Sequence, residues 1–442
     1  MRMALPRTVL LLFCLLAMPA LSDNLLSIYQ DALSGDPRIK LANVQVDIGE
    51  ALEKQAIGNL LPQISSAASF TESSQDLEKD SSIGVAGGTE SFSGERYSVS
   101  LSQPLINFSR YHQWRGRKEL AGQYKAERVD AYQKLILDVI ERYFNVLQAE
   151  DDLNVIAYEI TATARLLEQV ERLYSKRLAS ITEVLEVQAR LDRLNADEVS
   201  LATSVEVARD ELQELTGEPI GELAPLRESI DVESIDTPFS EWLEIVRQKN
   251  PTLQSLRKAM EVQRQVLKEQ KAIRYPVVDL QLSHQKSDIG FENSPRPTTT
   301  TEVIGVTVNL PIFTSGVNSA KISEAVHRYE KARLEYDLEL RRLDKTAKEA
   351  LLKANASIRR IVASLKALES AEKSFQAMEE GFKYGTVTSA DVLDAQRNES
   401  QTQRDVNIAK YDYVRSRAQL FMVSGMVDLQ ELEFINHRFL TN

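Results

Sequence analysis

Long stretches of this chain repeat apolar residues at spacings of three and four, and shorter stretches alternate apolar and polar residues one by one. The first pattern puts a stripe along one side of an α-helix, and the second gives a strand two unlike faces. From Leu340, the series Leu343, Ala347, Leu351, Ala354, Ile358, Ile361, Leu365, Leu368, Ala371, Phe375, Met378 and Phe382 forms a coiled-coil seam. Gly385 stops it, because the residue after a last helical turn is left-handed and glycine adopts that conformation most cheaply. Thr388-Ser-Ala-Asp391 then reads as a capping box that starts the next helix at once. A tight helical hairpin is predicted. The same hairpin occurs earlier, where Glu183-Val-Leu-Glu-Val-Gln188 aligns with Asp391-Val-Leu-Asp-Ala-Gln396. The chain is written twice, with expected repeats over 23–230 and 231–442.

Each repeat has the same order of parts. In the first, Asp23 to Leu33 is a short helix closed by Gly35, and Asp36-Pro37 starts a second helix that runs to about Leu60. Pro62 ends that helix, and period-two patterns predict strands at about 62–74 and 95–103, with Gln75 to Gly94 as a loop and Pro104 as a stop. A helix from about Ser109 to Leu178 follows, ~100 Å long at 1.5 Å per residue. After a tip at about 175–184, the returning helix ends at Gly217 and Pro219, half the outgoing length. The Pro37 to Leu60 helix would supply the rest by stacking end to end with it. Beyond an acidic connector from Gly217 to Pro238, Asn250-Pro251 matches Asp36-Pro37 and Pro276 matches Pro62. Strands at about 276–287 and 301–310 follow, with a loop from Ser287 to Thr300. A helix from Val317 to Phe382, a tip at about 383–392, a return to about Val423 and a short helix or tail complete the chain.

Composition narrows what this plan can be. A hydrophobic content of 43% supports a sizeable core, and a net charge of −12 disfavours nucleic acid, which wants a basic face. Residues 1–22 carry Arg2 and Arg7, an apolar run from Val9 to Met18 and small residues at Ala20 and Ser22, the layout of a cleaved secretory signal. The single cysteine, Cys14, lies within that run, so the mature chain is expected to contain neither disulfides nor thiolate metal sites. No later stretch has the ~18 consecutive apolar residues of a membrane helix. If the chain crosses a membrane, it does so as strands. Each strand is apolar on one face and small or polar on the other, and each is long enough to cross a bilayer at a tilt. Four strands cannot close around a polar interior, and hydrocarbon does not tolerate open edges, so several chains must share one barrel. The alternative, a β-sandwich patch on a soluble helical protein, leaves two distant hairpins with little to pack on.

Read together, these residues resemble the TolC-like outer-membrane channel proteins of Gram-negative bacteria. The resemblance covers Asn24 to about Leu432. It rests on the duplicated plan, the strand ends Pro104-Leu-Ile-Asn107 and Pro311-Ile-Phe313, and the tips Ala179-Ser-Ile-Thr-Glu183-Val and Tyr384-Gly-Thr-Val-Thr-Ser-Ala-Asp391-Val-Leu-Asp394. The fold class it implies is mainly α with β, each protomer giving four strands plus long helical hairpins. A homotrimer would form a 12-stranded outer-membrane β-barrel continued by an α-helical barrel across the periplasm. The implied partners are a periplasmic adaptor, an inner-membrane transporter and outer-membrane lipid, with no cofactor.

The resemblance also implies a periplasmic gate at Asp391 and Asp394, whose family counterparts ring the constriction. Without it, Asp391 is simply a capping carboxylate and Asp394 a solvated first-turn acid; Glu183 reads as a cap. The family's gate tyrosine and arginine fall on Phe382 and Val387, which cannot make the expected bonds. Arg177 is the nearest charge that could pair with Asp391 or Asp394 between hairpins. The tip residues Lys176, Arg177, Ser180, Glu183, Lys383, Tyr384, Gly385 and Thr386 are the expected adaptor-docking surface. An enzyme is the rival class, but His112, His284, His327 and His437 lie at no ligand spacing and no nucleophile motif or phosphate loop occurs. A soluble coiled-coil adaptor, the other rival, would lack the strands. Within the channel class, polypeptide export by a type I secretion system is favoured over multidrug efflux, because no lipidated N-terminal cysteine is present.

Overall fold

The computed structural model describes residues 23–77, 88–227, 230, 232, 235–289 and 298–441. The expected signal segment, 1–22, lies outside the described residues. The first half contains α1 (Leu25–Gly35), α2 (Pro37–Gly58), β1 (Gln63–Leu77), β2 (Gly88–Ile106), α3 (Phe108–Ser175) and α4 (Ile181–Thr216). The second contains α5 (Phe239–Lys249), α6 (Pro251–Ala272), β3 (Val277–Ile289), β4 (Thr299–Asn309), α7 (Val317–Lys383), α8 (Ser389–Val423) and α9 (Leu429–Phe439). Among the described residues, no helix is long and apolar enough to cross a membrane.

Local chemistry sets the helix ends. Asp36 and Asn250 cap α2 and α6, each followed by Pro at the first helical position, where the missing N–H costs nothing. Asn107 caps α3 by accepting from the Arg110 amide at 3.0 Å. The expected end-to-end stacking is present. Gly35 lies so close to the Thr216 carbonyl that a Cβ there would overlap it, so the end of α4 abuts the start of α2. Gly425 likewise leaves no room for a Cβ against Lys249 and Asn250, and Asn250 Nδ2 donates to the Val423 carbonyl at 2.9 Å, which joins α8 to α6 in the same way. Two short helices therefore lie along each long one, and packing runs from α2 and α4 to α3, then to α6 and α8, then to α7. The result is a wall of four helical columns.

The four strands form one antiparallel sheet in the order β1-β2-β3-β4. The two hairpins, far apart in sequence, meet through β2 and β3. Since β1 follows α2, β2 precedes α3, β3 follows α6 and β4 precedes α7, each strand continues one helical column and the lateral order is the same in both layers. The strands extend beyond the alternating stretches: β1 reaches Leu77 and β2 begins at Gly88, so much of the expected loop is ladder. These added segments carry mainly polar residues on both faces, which is why alternation did not mark those ends. Pro104 does not stop β2 either; it sits at a register shift against β3, between the pairs Pro104–Asp279 and Ile106–Val278. A bulge is where a strand tolerates a residue without an N–H.

The main core lies halfway along the helices. Tyr143, Phe144, Tyr411, Tyr413, Phe439 and Leu25 are fully buried there, where α1, α9 and the connector wrap the columns. The Tyr143 hydroxyl donates to the Ala224 carbonyl at 2.9 Å, and the connector adds bridges Asp23–Leu223 and Leu226–Leu440. Arg417 stacks between the Phe421 and Phe434 rings, 4.7 and 4.4 Å away, while its Nε donates to Glu431 at 2.8 Å. This ties the C-terminal helix to α8.

Candidate functional site

Register alone sorts the sheet into two faces. Ile64, Leu101, Leu282 and Ile304 form one row across all four strands, and Leu280–Val306 and Val278–Val308 add further rows on the same face. The opposite face carries Ser65, Ser100 and Ser283 in one row, with a 2.8 Å hydrogen bond between the Ser65 and Ser100 hydroxyls, and Gly305 and Thr307 on β4; Val277 and Val303 are apolar exceptions. The apolar face is uncovered within the protomer: Ile304 is 83% exposed and Val306 60%. Its band ends at the His284–Glu302 pair, 3.2 Å apart, and at the edge-to-face rings of Phe70 and Tyr97. At the helical end, Phe108 and Tyr275 make another edge-to-face pair. Aromatic residues flanking an apolar band on alternating strands are the signature of a bilayer-spanning sheet.

The other end of the molecule is built from the two hairpin tips. At the first, Lys176 ends α3, the Leu178 amide reaches back to the Leu173 carbonyl at 2.9 Å and the Arg177 amide to Tyr174 at 2.8 Å. At the second, the Thr386 and Gly385 amides make the same two bonds to Gly381 and Phe382, at 2.9 and 3.1 Å. Both are Schellman caps, and both need a left-handed residue: Gly385 at φ 73° and Arg177 at φ 62°. Arginine thus occupies a position whose duplicate is glycine. Ser180 caps α4 by accepting from the Glu183 amide at 3.3 Å, and its hydroxyl also meets Glu183 Oε1 at 3.1 Å.

The acidic residues expected at a gate lie on the first turn of α8. Asp391 Oδ2 accepts from the Thr388 amide at 2.9 Å and the Thr388 hydroxyl at 2.7 Å, while the Asp391 amide donates back to that hydroxyl oxygen. These bonds, the backbone amide foremost, hold the Asp391 carboxyl below the usual aspartate range. Asp394 pairs with Arg397 at 2.9 Å. Arg397 was not singled out from sequence, although an Asp three residues before an Arg on a helix is the spacing that signals such a pair. Within the protomer, Arg177 touches neither aspartate, and among the described residues its side chain and that of Lys176 have no hydrogen-bond or ion-pair partner. Lys383 pairs with Glu380 at 2.8 Å, which raises the lysine above its ordinary range, and Tyr384 is 81% exposed.

Behind these surface groups, both tips share one apolar cluster. Leu166, Leu167 and Val170 from α3, Val187 from α4, Phe375 and Phe382 from α7 and Val392 from α8 are buried together, with Val387 packed against them.

The sequence pattern of the outer membrane efflux protein family matches residues 28–218 and 242–426. The chain belongs to the outer membrane efflux protein family. Two relatives are the alkaline protease secretion protein AprF of Pseudomonas aeruginosa, 26% identical over 97% of this chain and 89% of its own length, and the outer membrane protein TolC of Vibrio cholerae, 29% identical over 94% and 93%. Among solved structures, the outer membrane channel CmeC of Campylobacter jejuni superimposes with a TM-score of 0.80 at 16% identity, covering 91% of this chain and 86% of that one. The outer membrane protein VceC of Vibrio cholerae gives 0.79 at 18%, covering 91% and 96%. As a member of the outer membrane efflux protein family, the chain is an outer-membrane protein, and its helical columns extend into the periplasm. The family is one of channels and transport, not of enzymes. Its two departures at the tip now have a structural account: Phe382, 8% exposed, and Val387 stand where the resemblance implies polar groups, and both turn into the apolar cluster.

Proposed function

We propose that three copies of this chain form one outer-membrane exit duct that docks with a periplasmic adaptor and an inner-membrane transporter. The observation that carries it is the coincidence of strand order with helix-column order. Each protomer ends on one side in β1 with α2 and α4, and on the other in β4 with α7, so one head-to-tail contact extends sheet and helices together. Apolar residues lie uncovered along both borders: Leu41 and Val44 on α2, Leu334 and Leu338 on α7. The cargo favoured is a polypeptide, as the name of AprF suggests for that protein; small-molecule efflux is the alternative. Catalysis has no place in this function.

At the tips, Asp391 and Asp394 of three protomers would surround the narrowest point, a ring able to attract cations. Arg177, left-handed and without an ion-pair partner among the described residues of its own protomer, is proposed to meet an aspartate of a neighbouring hairpin in the closed state. Together with Lys176, Ser180, Glu183, Lys383, Tyr384, Gly385 and Thr386 it would form the docking surface. Charge reversal at Lys176, Arg177 and Lys383 tests this. Co-purification of the three-part machine should fall while the trimer recovered from membranes stays constant, and unchanged co-purification would place docking elsewhere. In a strain lacking the chain's own gene, recovery of protease secretion on complementation supports the polypeptide cargo, and recovery of drug or metal tolerance alone supports efflux.

A further inference from the structure

Between the main core and the tip cluster, where Ile156 and Leu194 are the neighbouring buried apolar residues, the columns also meet through buried polar groups. On α3, the central column at this level, Glu159 and Thr163 are 2% and 0% exposed. The Glu159 carboxylate is bound by the Arg190 guanidinium of α4 and lies 3.6 Å from that of Arg404 on α8. Its main-chain carbonyl accepts from Gln396 Nε2 of α8 at 2.9 Å, and the same nitrogen donates to Thr163 Oγ1 at 3.2 Å. One residue therefore holds both hairpins. The duplication does not repeat this arrangement, since Gln188, the counterpart of Gln396, bonds within its own helix to Asp192 at 2.8 Å.

We propose that Glu159 is the positioning residue of the gate, fixing the register of α4 and α8 on α3 so that the tips beyond it close. This rests on the channel function proposed above. Apolar packing in the tip cluster is non-directional and accepts more than one register, whereas charge-assisted hydrogen bonds are directional. A buried ion pair adds little net stability over apolar packing but strongly penalises loss of one partner. The two arginines are about a quarter exposed and can turn to water, while Glu159 cannot. Moving α8 outward strips the carboxylate of Arg404 and the carbonyl of Gln396. That asymmetry favours the closed arrangement.

The test uses full-length trimers with nitroxides on Leu178→Cys and Tyr384→Cys, one on each tip, diluted with unlabelled chain, alongside single-channel recording in bilayers. Glu159→Gln keeps the side chain's shape and removes its charge; Arg404→Met alters a partly exposed partner in case the first variant assembles poorly. The expected result is a broadened or lengthened inter-tip distance and an open probability raised about tenfold, equivalent to about 1.4 kcal/mol, with trimer yield unchanged. The effects of the two substitutions should be less than additive. A wild-type distance distribution in both variants overturns the proposal, as does an unchanged open probability in a variant whose tips have moved. If neither the parent nor any variant conducts, the channel function fails, while the distances still decide the role of Glu159.

Discussion

Val306→Arg and Thr307→Arg change neighbouring residues to the same side chain on opposite faces of β4. Val306 sits opposite Leu280 in the middle of three apolar rows, with Val308–Val278 on one side and Ile304–Leu282 on the other, and charge begins only at Glu302, whose partner is His284. That places it near the bilayer midplane, where a lipid-facing arginine costs about 2–4 kcal/mol per copy. Three copies in one barrel would lose roughly 6–12 kcal/mol, comparable with the whole stability of a typical domain. Thr307 faces the polar side and pairs with Asp279 across the ladder, so an arginine there gains an opposite charge directly opposite. The assay is the fraction of trimer surviving heating in detergent, with yield from outer membranes beside it. Val306→Arg should abolish the heat-stable trimer; Thr307→Arg should leave it intact and alter conductance. Equal losses from both would refute the two-faced sheet, and with it a barrel formed from this face.

Two further outcomes follow from the helical half. Arg177→Gly should stabilise the first tip by about 1 kcal/mol, because a non-glycine residue in the left-handed region is strained, whereas Gly385→Ala should cost a similar amount; thermal unfolding checks both signs. Glu399 has a buried carboxylate oxygen without a hydrogen-bond partner among the described residues, and burial first, then Glu372 and Glu159, push its carboxyl above the ordinary range. A raised folded-state value means that the folded chain binds the extra proton, so this penalty is full above that value and is relieved as pH falls toward the ordinary ~4.3. Glu399→Gln should therefore raise the melting temperature at neutral pH and shrink the difference from the parent in mildly acidic buffer; a difference that grows on acidification would contradict the assignment.

Much of this molecule is written locally and was legible without coordinates. Helix ends depend on single residues a turn apart, so Asp36, Asn250, Thr388, Gly217 and Gly385 announced them, whereas the Asn107 cap of α3 was not read. The duplication likewise exposed the stacked short helices, since two unequal arms had to be matched by something. Strand length was less visible, because the alternation that marks a strand comes from two unlike faces, and β1 and β2 continue with mainly polar residues on both faces.

Only the tertiary structure decided what lies beside what. No local pattern says that β2 pairs with β3 across a long stretch of sequence, or that α3 stands between α4 and α8. Glu159 shows the consequence: in sequence it is one acid among 65 Asp and Glu residues, and its meaning comes from Arg190, Arg404 and Gln396 converging on it from other helices. Phe382 is the complementary case, legible as a departure from the family's tyrosine but placed in an apolar cluster only by the packing of four helices. Periodicity reports how much of a helix is covered, and by apolar atoms. It does not report the partner, because burial depends on solvent excluded and not on the identity of what excludes it.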